Sequence, residues 1–400
     1  MRFSYPLLVG DVGGTNTRLS RVEAPGADPG APILLPTSAT AFEATLERER
    51  VRSIVLGAAG PATGRGVRLT NTDFIIDGPR LAARFGLDQG LVVNDFEAEA
   101  LSLAAMEPDD SIALARGTDA GGPRLILGPG TGIGVGALID VGGRYLPLGT
   151  EAGHVGFAPE SVEEEAILSL LRRREGRICA ESLLCGPGLA RLHGARLQLA
   201  TIEDARLDSR GVLAAAKADP TGAAAATLRL FWRMLGAFAG DMALVFRATG
   251  GVWLTGDLAR ACAALCDPAA FRTAFIDKPP YEDFLSAMPL SLVARPHLAL
   301  KGLARLAARP DRGFVRGMLG VEHMVQAIEK ERLWPRALTG FQPLPGGRGR
   351  RVGGSPRRRE GACGALAPFA ACAARPSGPR WAPLLSIPWR RSGRPEGGAH

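Results

Sequence analysis

The sequence predicts an α/β protein of two related halves facing each other across a cleft. Three features carry that expectation. Apolar strands alternate with amphipathic helices over most of the chain, and a strand, glycine turn, strand pattern occurs twice, in residues 5–22 and again in "PRLILGPGTGIGVGALI" at 123–139. Between the two copies, "LVVNDFEAEALSLAAM" runs an apolar strand straight into a helix. At 400 residues the chain exceeds one average domain. The reading divides it into a small domain over 1–105, completed by a helix near 297–310, and a large domain over 106–296.

In chain order, "YPLLV" and "TRLSRV" are the strands of the first hairpin, and "RSIVLGAAGP" is a further strand ending in small residues and proline. The second hairpin opens the large domain. "SVEEEAILSLLRRRE" has a serine cap, an acidic first turn and arginines in its last turn, a charge order that suits the helix dipole. "AAAATLRLFWRMLGAFAGDMALVFRA" is a longer helix with an apolar stripe, "GGVWLTGDLARACAAL" is strand, turn and helix, and "HLALKGLARLAAR" is the helix expected to return to the first domain.

The net charge of +8 sits in one place. From Pro335 to His400 twelve arginines face two glutamates, so this segment carries +10 and the remainder −2. Its ten prolines and twelve glycines mark low-complexity chain, expected to be disordered, either a basic arm or a segment translated out of frame. The folded body is therefore not expected to bind nucleic acid. No long apolar span or cleaved leader is read, which predicts a cytoplasmic protein that stays off membranes. The six cysteines (179, 185, 262, 266, 363 and 372) fit neither a disulfide framework nor a zinc site and are expected to be reduced, mostly buried thiols.

The chemistry begins in "VGDVGGTNTRL". Gly10, Gly13 and Gly14 permit torsions and close approaches that a Cβ would block. The turn from Gly10 through Asp11, Val12, Gly13, Gly14 and Thr15 to Asn16 can thus aim donors at anionic oxygens. A carboxylate beside phosphates is repulsive unless a divalent cation intervenes, so Asp11 implies a Mg-nucleotide, with the ion held through water. Alone, the turn reads equally well as a plain hairpin. The second turn, "LGPGTGIGVG", alternates Gly128, Gly130, Gly132, Gly134 and Gly136, with Thr131 placed to donate. Neither turn fits GxxxxGK[ST], and no GxGxxG opens a helix.

Asn94 and Asp95 stand where a strand meets a helix. Asp95 reads either as a helix cap or as a base that takes the proton from a hydroxyl attacking phosphorus. Glu151 and His154, in "GTEAGHVGFAPE", and Glu181, in "ICAESLLCGPGL", combine paired acceptors with a donor, a set that suits a polyhydroxylated ligand. Glu160 and Glu163 to Glu165 read as a solvated helix start.

With these stretches assembled, residues 5–325 resemble the bacterial ATP-dependent glucokinases of the hexokinase, actin and Hsp70 superfamily. "VGDVGGTNTRL" and "GPGTGIGVG" match the two phosphate motifs, "VVNDFEAEA" the catalytic segment, "EAGHVGFAP" and "AESLLCGPGL" the sugar loops, and "GGVWLTGDLA" the adenosine motif. The resemblance implies two ribonuclease-H-like (actin-like ATPase) domains flanking the cleft. It implies Asp95 as base, with Asn94, Glu151, His154 and Glu181 on glucose. Nucleotide contacts would come from residues 10–16, Gly130, Thr131, Gly132 and Gly256. ATP and Mg2+ are the implied cofactors, glucose 6-phosphate feeding glycolysis the product, and a homodimer the assembly.

Three departures stand out: Asp257 where the family commonly has a second glycine, Phe74 where a tryptophan is frequent, and the tail. The zinc motif of the related repressor and sugar-kinase family is absent. A catalytically quiet sugar-binding regulator and a kinase for another hexose are the competing readings. The first should have lost Asp95 or a phosphate turn and has lost neither.

Overall fold

The computed structural model describes residues 2–313 apart from 61, 64–65, 70–74 and 203–205. Phe74 and the expected tail from Pro335 onward lie outside these residues. Strands β1 (Leu7–Val12), β2 (Asn16–Val22) and β3 (Ile33–Pro36) form an antiparallel meander. Helix α1 (Ala39–Glu49), strand β4 (Ser53–Ala58), a small sheet of β5 (Ala62–Thr63), β6 (Gly66–Arg68) and β7 (Ile75–Asp77), helix α2 (Gly78–Phe85), strand β8 (Gln89–Asn94) and helix α3 (Asp95–Ser102) complete the first half. The second half contains β9 (Ser111–Ala115), β10 (Arg124–Pro129), β11 (Ile133–Val141) and β12 (Arg144–Thr150). Helices α4 (Val162–Glu175), α5 (Ala180–Leu183), α6 (Gly186–Leu199), α7 (Ser209–Ala218) and α8 (Ala223–Phe246) follow. Then come β13 (Gly251–Leu254), α9 (Asp257–Leu265), α10 (Pro268–Ile276), α11 (Glu282–Ser286), β14 (Leu290–Val293) and α12 (Leu298–Ala308).

The two main sheets repeat one topology. The first has strand order β3-β2-β1-β4-β8, with β1 pairing β4 and β4 pairing β8 in parallel. The second has order β12-β11-β10-β13-β14-β9, with β10 pairing β13 and β13 pairing β14 in parallel. Each is thus a three-stranded meander followed by two parallel strands, the ribonuclease-H-like arrangement expected from the sequence. Strand β9, which the sequence reading did not isolate, adds an antiparallel edge beside β14. Strand β4, "SIVLGA", is buried at every position, as a parallel strand covered on both faces must be.

Helices α3 and α12 each follow the last parallel strand of their half, and they pack against one another between the two sheets. One face of the first sheet (Leu7, Val9, Val55, Leu91, Val93) and one face of the second (Ile126, Leu138, Val293) close on Ala98 and Leu101 of α3 and Leu300 and Leu303 of α12. The outer face of the first sheet packs on Phe42 and Leu46 of α1 and Leu81 of α2. The outer face of the second is covered mainly by α4 to α11, with Trp232, Phe231 and Phe271 wholly buried. Helix α12 therefore packs against the first half. Lys301 of α12 ties it to the connection between halves, donating to Glu107 at 2.9 Å and to the fully buried Asp110 at 3.1 Å. Among the described residues no helix is long and apolar enough to cross a membrane.

The α3–α12 crossing is close because Gly302 lacks a side chain: a Cβ there would stand 2.6 Å from the Ser102 nitrogen and 2.9 Å from the Leu101 carbonyl carbon. Helix propensity alone makes Gly302→Ala stabilising by about 1 kcal/mol. The crossing predicts the opposite sign, a loss of about 1–3 kcal/mol from overpacking against backbone. Urea unfolding decides between them, and a gain in stability would show that the two helices are not held this tightly.

Candidate active site

Asp95 occupies the first turn of α3 with its carboxyl facing a cavity of about 380 Å3. The helix cap is made one residue earlier. Asn94 Oδ1 accepts from the amides of Phe96 (2.9 Å) and Glu97 (3.3 Å), while Glu97 Oε2 accepts from the Asn94 amide at 3.0 Å. This reciprocal box satisfies the helix start and leaves Asp95 only a short contact with the Phe96 amide, at 3.0 Å. The capping role considered for Asp95 thus belongs to Asn94. Asn94 Nδ2 donates to the Gly60 carbonyl at 3.1 Å, so its amide is partly committed to structure as well as facing the cavity.

The cavity gathers both glycine turns and the loops that carry Glu151, His154 and Glu181. Gly13, Gly14 and Thr15 line it from the β1–β2 turn, Gly130, Thr131 and Gly132 from the β10–β11 turn, and Glu151, His154 and Glu181 complete it with Asn94 and Asp95. Glu151 and His154 are exposed at its mouth, on a short 3-10 turn over 152–154, and Glu181 on α5 is half-buried. Glu181 Oε2 also accepts the Ile133 amide at 3.1 Å, which links the α5 loop to the second turn.

Five residues expected at the site do not line this cavity. Gly10 lies inside β1, where a Cβ would come within 2.6 Å of both Leu19 and Leu56, so packing in the sheet is what requires glycine there. Val12 is a core residue, 1% exposed. Asn16 is exposed and closes the turn, its carbonyl accepting the Gly13 amide at 3.1 Å. Asp11 is half-buried and paired with Arg18 on the neighbouring strand at 3.3 Å. Gly256 precedes α9 with φ at +98°, a left-handed torsion that favours glycine. Beside it Asp257 is 91% exposed and paired with Arg260 at 2.6 Å.

The alternating glycines of the second turn serve close approaches. Gly13, Gly14, Gly130 and Gly132 all avoid the left-handed region, contrary to the torsional freedom expected of the first turn. A Cβ at Gly134 would fall on the Phe96 ring, and one at Gly136 would stand 2.5 Å from the Phe96 carbonyl. A Cβ at Gly132 would strike the Glu181 carboxylate. The pattern read as phosphate cradle is therefore also the seat in which the α3 start rests on the second sheet.

Burial, then the nearby charges of Asp11 and Glu151, push Asp95 up to about 7. Glu99, one helical turn further along α3, was missed by sequence reasoning, although its i, i+4 spacing from Asp95 was legible. Burial and the charges of Asp11 and Asp95 push it up to about 8, against Arg260 and a hydrogen bond with Thr255, and its Oε2 is buried without a partner. Asp11 is raised by burial, opposed by Arg18.

These shifts fix a sign for stability. Both carboxyls bind protons more readily in the folded chain, so their contribution is fully present below the unfolded values near 4 and is lost as pH rises through about 7 for Asp95 and about 8 for Glu99. Glu99→Gln should therefore leave the stability of the ligand-free protein nearly unchanged at pH 4. At pH 9 it should raise stability by roughly 1–3 kcal/mol. Thermal or urea unfolding at the two pH values checks this, and equal effects at both would contradict it.

With this geometry in place, comparisons with known proteins fix the lineage. A family model described as Glucokinase matches residues 8–310. The glucokinase of Chelativorans sp. (strain BNC1) is 35% identical over 317 residues, covering 77% of this chain and 93% of that protein. Among solved structures, a glucokinase from an Antarctic psychrotroph is similar with a TM-score of 0.65 at 26% identity, covering 76% of this chain and 99% of that one. A ROK family glucokinase from Streptomyces griseus, in complex with glucose and AMPPNP, has a TM-score of 0.55 at 21% identity over 76% of this chain and 99% of its own, a likeness of fold. The chain belongs to the glucokinase family.

Proposed function

We propose that the protein phosphorylates glucose with ATP, moving the terminal phosphoryl group to the 6-hydroxyl with Asp95 as general base, and so feeds glycolysis. The observation that carries this reading is the meeting, in one cavity, of a carboxyl pushed up to about 7 with two glycine turns and the set Glu151, His154 and Glu181.

Each group has a task in that reading. Glu151 and Glu181 accept hydroxyl protons from the sugar, His154 donates or accepts, and Asn94 adds the remaining hydrogen of its amide. Asp95, poised near neutrality, takes the proton of the attacking hydroxyl. The sugar oxygen then bonds to the terminal phosphorus as the bond to the bridging oxygen of the leaving ADP breaks. The Gly13 and Gly130 amides are spent inside their own turns, on Asn16 and Gly132. Support for the triphosphate therefore falls to Gly14, Thr15, Thr131 and Gly132, and adenosine to the turn at Gly256.

The residues present also fit Mg2+. The charge of Asp11 raises the proton affinity of both Asp95 and Glu99, and that of Asp95 raises Glu99 further, a surplus of negative charge that a divalent cation would relieve. Among the described residues no three His, Cys, Asp or Glu side chains converge as a metal cage. Asp11 is the residue that would hold the ion, through water, once released from its pairing with Arg18. When bound, it supplies charge neutralisation to the phosphates. Residues 1–105 with the helix near 297–310 act as one domain and 106–296 as the other. A homodimer and a cytoplasmic location complete the proposal.

Asp95→Asn keeps the shape of the side chain and removes its basicity. We expect kcat to fall by about 10²–10⁴ while the glucose Kd changes little. In the wild type, kcat/KM for glucose should decline as pH drops through about 7, because only the ionised carboxylate accepts the proton. A variant within about threefold of wild-type kcat would remove Asp95 from this role.

A further inference from the structure

Cys179 stands immediately before α5, in a segment laced antiparallel to the turn that carries His154. Arg177 Nη2 donates to the His154 carbonyl at 3.0 Å, Cys179 bridges Gly156, and the Ala180 amide donates to the Val155 carbonyl at 2.9 Å. This lacing sets the Cys179 thiol beside the His154 turn, close enough for each group to shift the other's proton affinity. On its other side Sγ lies 3.3 Å from Ser182 Oγ, and Ser182 Oγ also accepts the Cys179 amide at 3.1 Å. Cys179 is half-buried, as is Cys266, whereas Cys185 and Cys262 are buried.

The thiol is also chemically distinct. Burial pushes it up, but the hydrogen bonds with Ser182 and His154 outweigh burial and hold it below the ordinary thiol value. Burial raises Cys185 and Cys262 and brings Cys266 up to about 11. His154 is correspondingly raised, first by the Cys179 hydrogen bond and then by the charges of Glu181 on α5 and Glu151 on its own turn. Arg177 faces its carbonyl, and Asp95 lines the same cavity.

We propose that Cys179 is a positioning residue for sugar recognition. In this proposal a hydrogen bond between the thiol and one ring nitrogen of His154 fixes the imidazole so that the other ring nitrogen faces the sugar, and chemistry that consumes the thiol closes the sugar pocket. The proposal rests on the reading of His154 as a glucose ligand. An exposed imidazole on a three-residue turn loses rotamer freedom on binding, and a ring fixed beforehand loses less. An alkylating reagent such as iodoacetamide forms an S–C bond, releases iodide and passes the thiol proton to solvent. That removes the contact and adds bulk beside His154.

The test uses the full chain with Cys179→Ala, Cys179→Ser and His154→Asn. Cys179→Ala should raise KM for glucose about fivefold, with kcat and the KM for ATP within about twofold. It should also move the His154 titration, followed by NMR and assigned through His154→Asn, to lower pH. Cys179→Ser, which restores a hydrogen-bonding group, should recover most of both effects. In the wild type, iodoacetamide should label Cys179 ahead of Cys185, Cys262 and Cys266 in peptide mapping, and glucose should slow that labelling. An unchanged His154 titration together with an unchanged glucose KM in Cys179→Ala overturns the proposal. If His154→Asn itself leaves glucose affinity intact, the underlying reading of the sugar site fails instead.

Discussion

Asn94 accepts the amides of Phe96 and Glu97 at the start of α3, and Glu97 accepts the Asn94 amide in return. That exchange fixes what the cleft can do. A helix start has orphan donors that something must satisfy, and an aspartate next to it would ordinarily be drawn into the work. Because Asn94 and Glu97 complete the box, the Asp95 carboxyl is left to face the cavity from a rigid helix end. Its height above the second sheet is set by Phe96, whose ring rests where Gly134 has no side chain. The position of one carboxylate thus depends on a cap in the first half and on missing side chains in the second.

The same economy governs the remainder of the cleft. Two copies of one sheet topology bring their hairpin turns to one cavity at the start of α3, and the helix that ends each copy packs against its counterpart. The second turn is joined to the segment that carries Glu181 by direct bonds. Glu181 accepts the Ile133 amide, and the Gly186 amide donates to the Gly130 carbonyl at 2.8 Å. A rearrangement of α5 therefore reaches the second turn through backbone contacts. Lys301, bonded to the buried Asp110, holds α12 to the connection between the halves.

Much of this was legible because it is local. Both hairpins, the β8-to-α3 junction, the serine cap of α4 and the final helix follow from periodicity and capping chemistry over a few residues. What was misread depends on partners far along the chain. Gly10 reads as a turn glycine until Leu56 is seen beside it, and Gly134 as a phosphate glycine until Phe96 is placed on it. Asn and Asp are nearly equal caps, so adjacent residues could not be assigned from sequence alone. Glu99 gave only a spacing, and its raised proton affinity comes from burial and from the charges of Asp11, which β1 brings to it, and Asp95. Cys179, expected as one of six reduced, mostly buried thiols, gains its character from Ser182 nearby and from His154 across the loop.

The account turns on the cavity holding Asp95 as a carboxyl that exchanges its proton near neutrality. The direct measurement is a titration of the Asp95 carboxyl carbon in ligand-free protein labelled at aspartate, assigned by the signal missing from Asp95→Asn. The structure predicts a midpoint at about 7. A midpoint at about 4, the ordinary value for a solvated aspartate, would contradict it by showing that neither burial nor the neighbouring carboxylates act on this group.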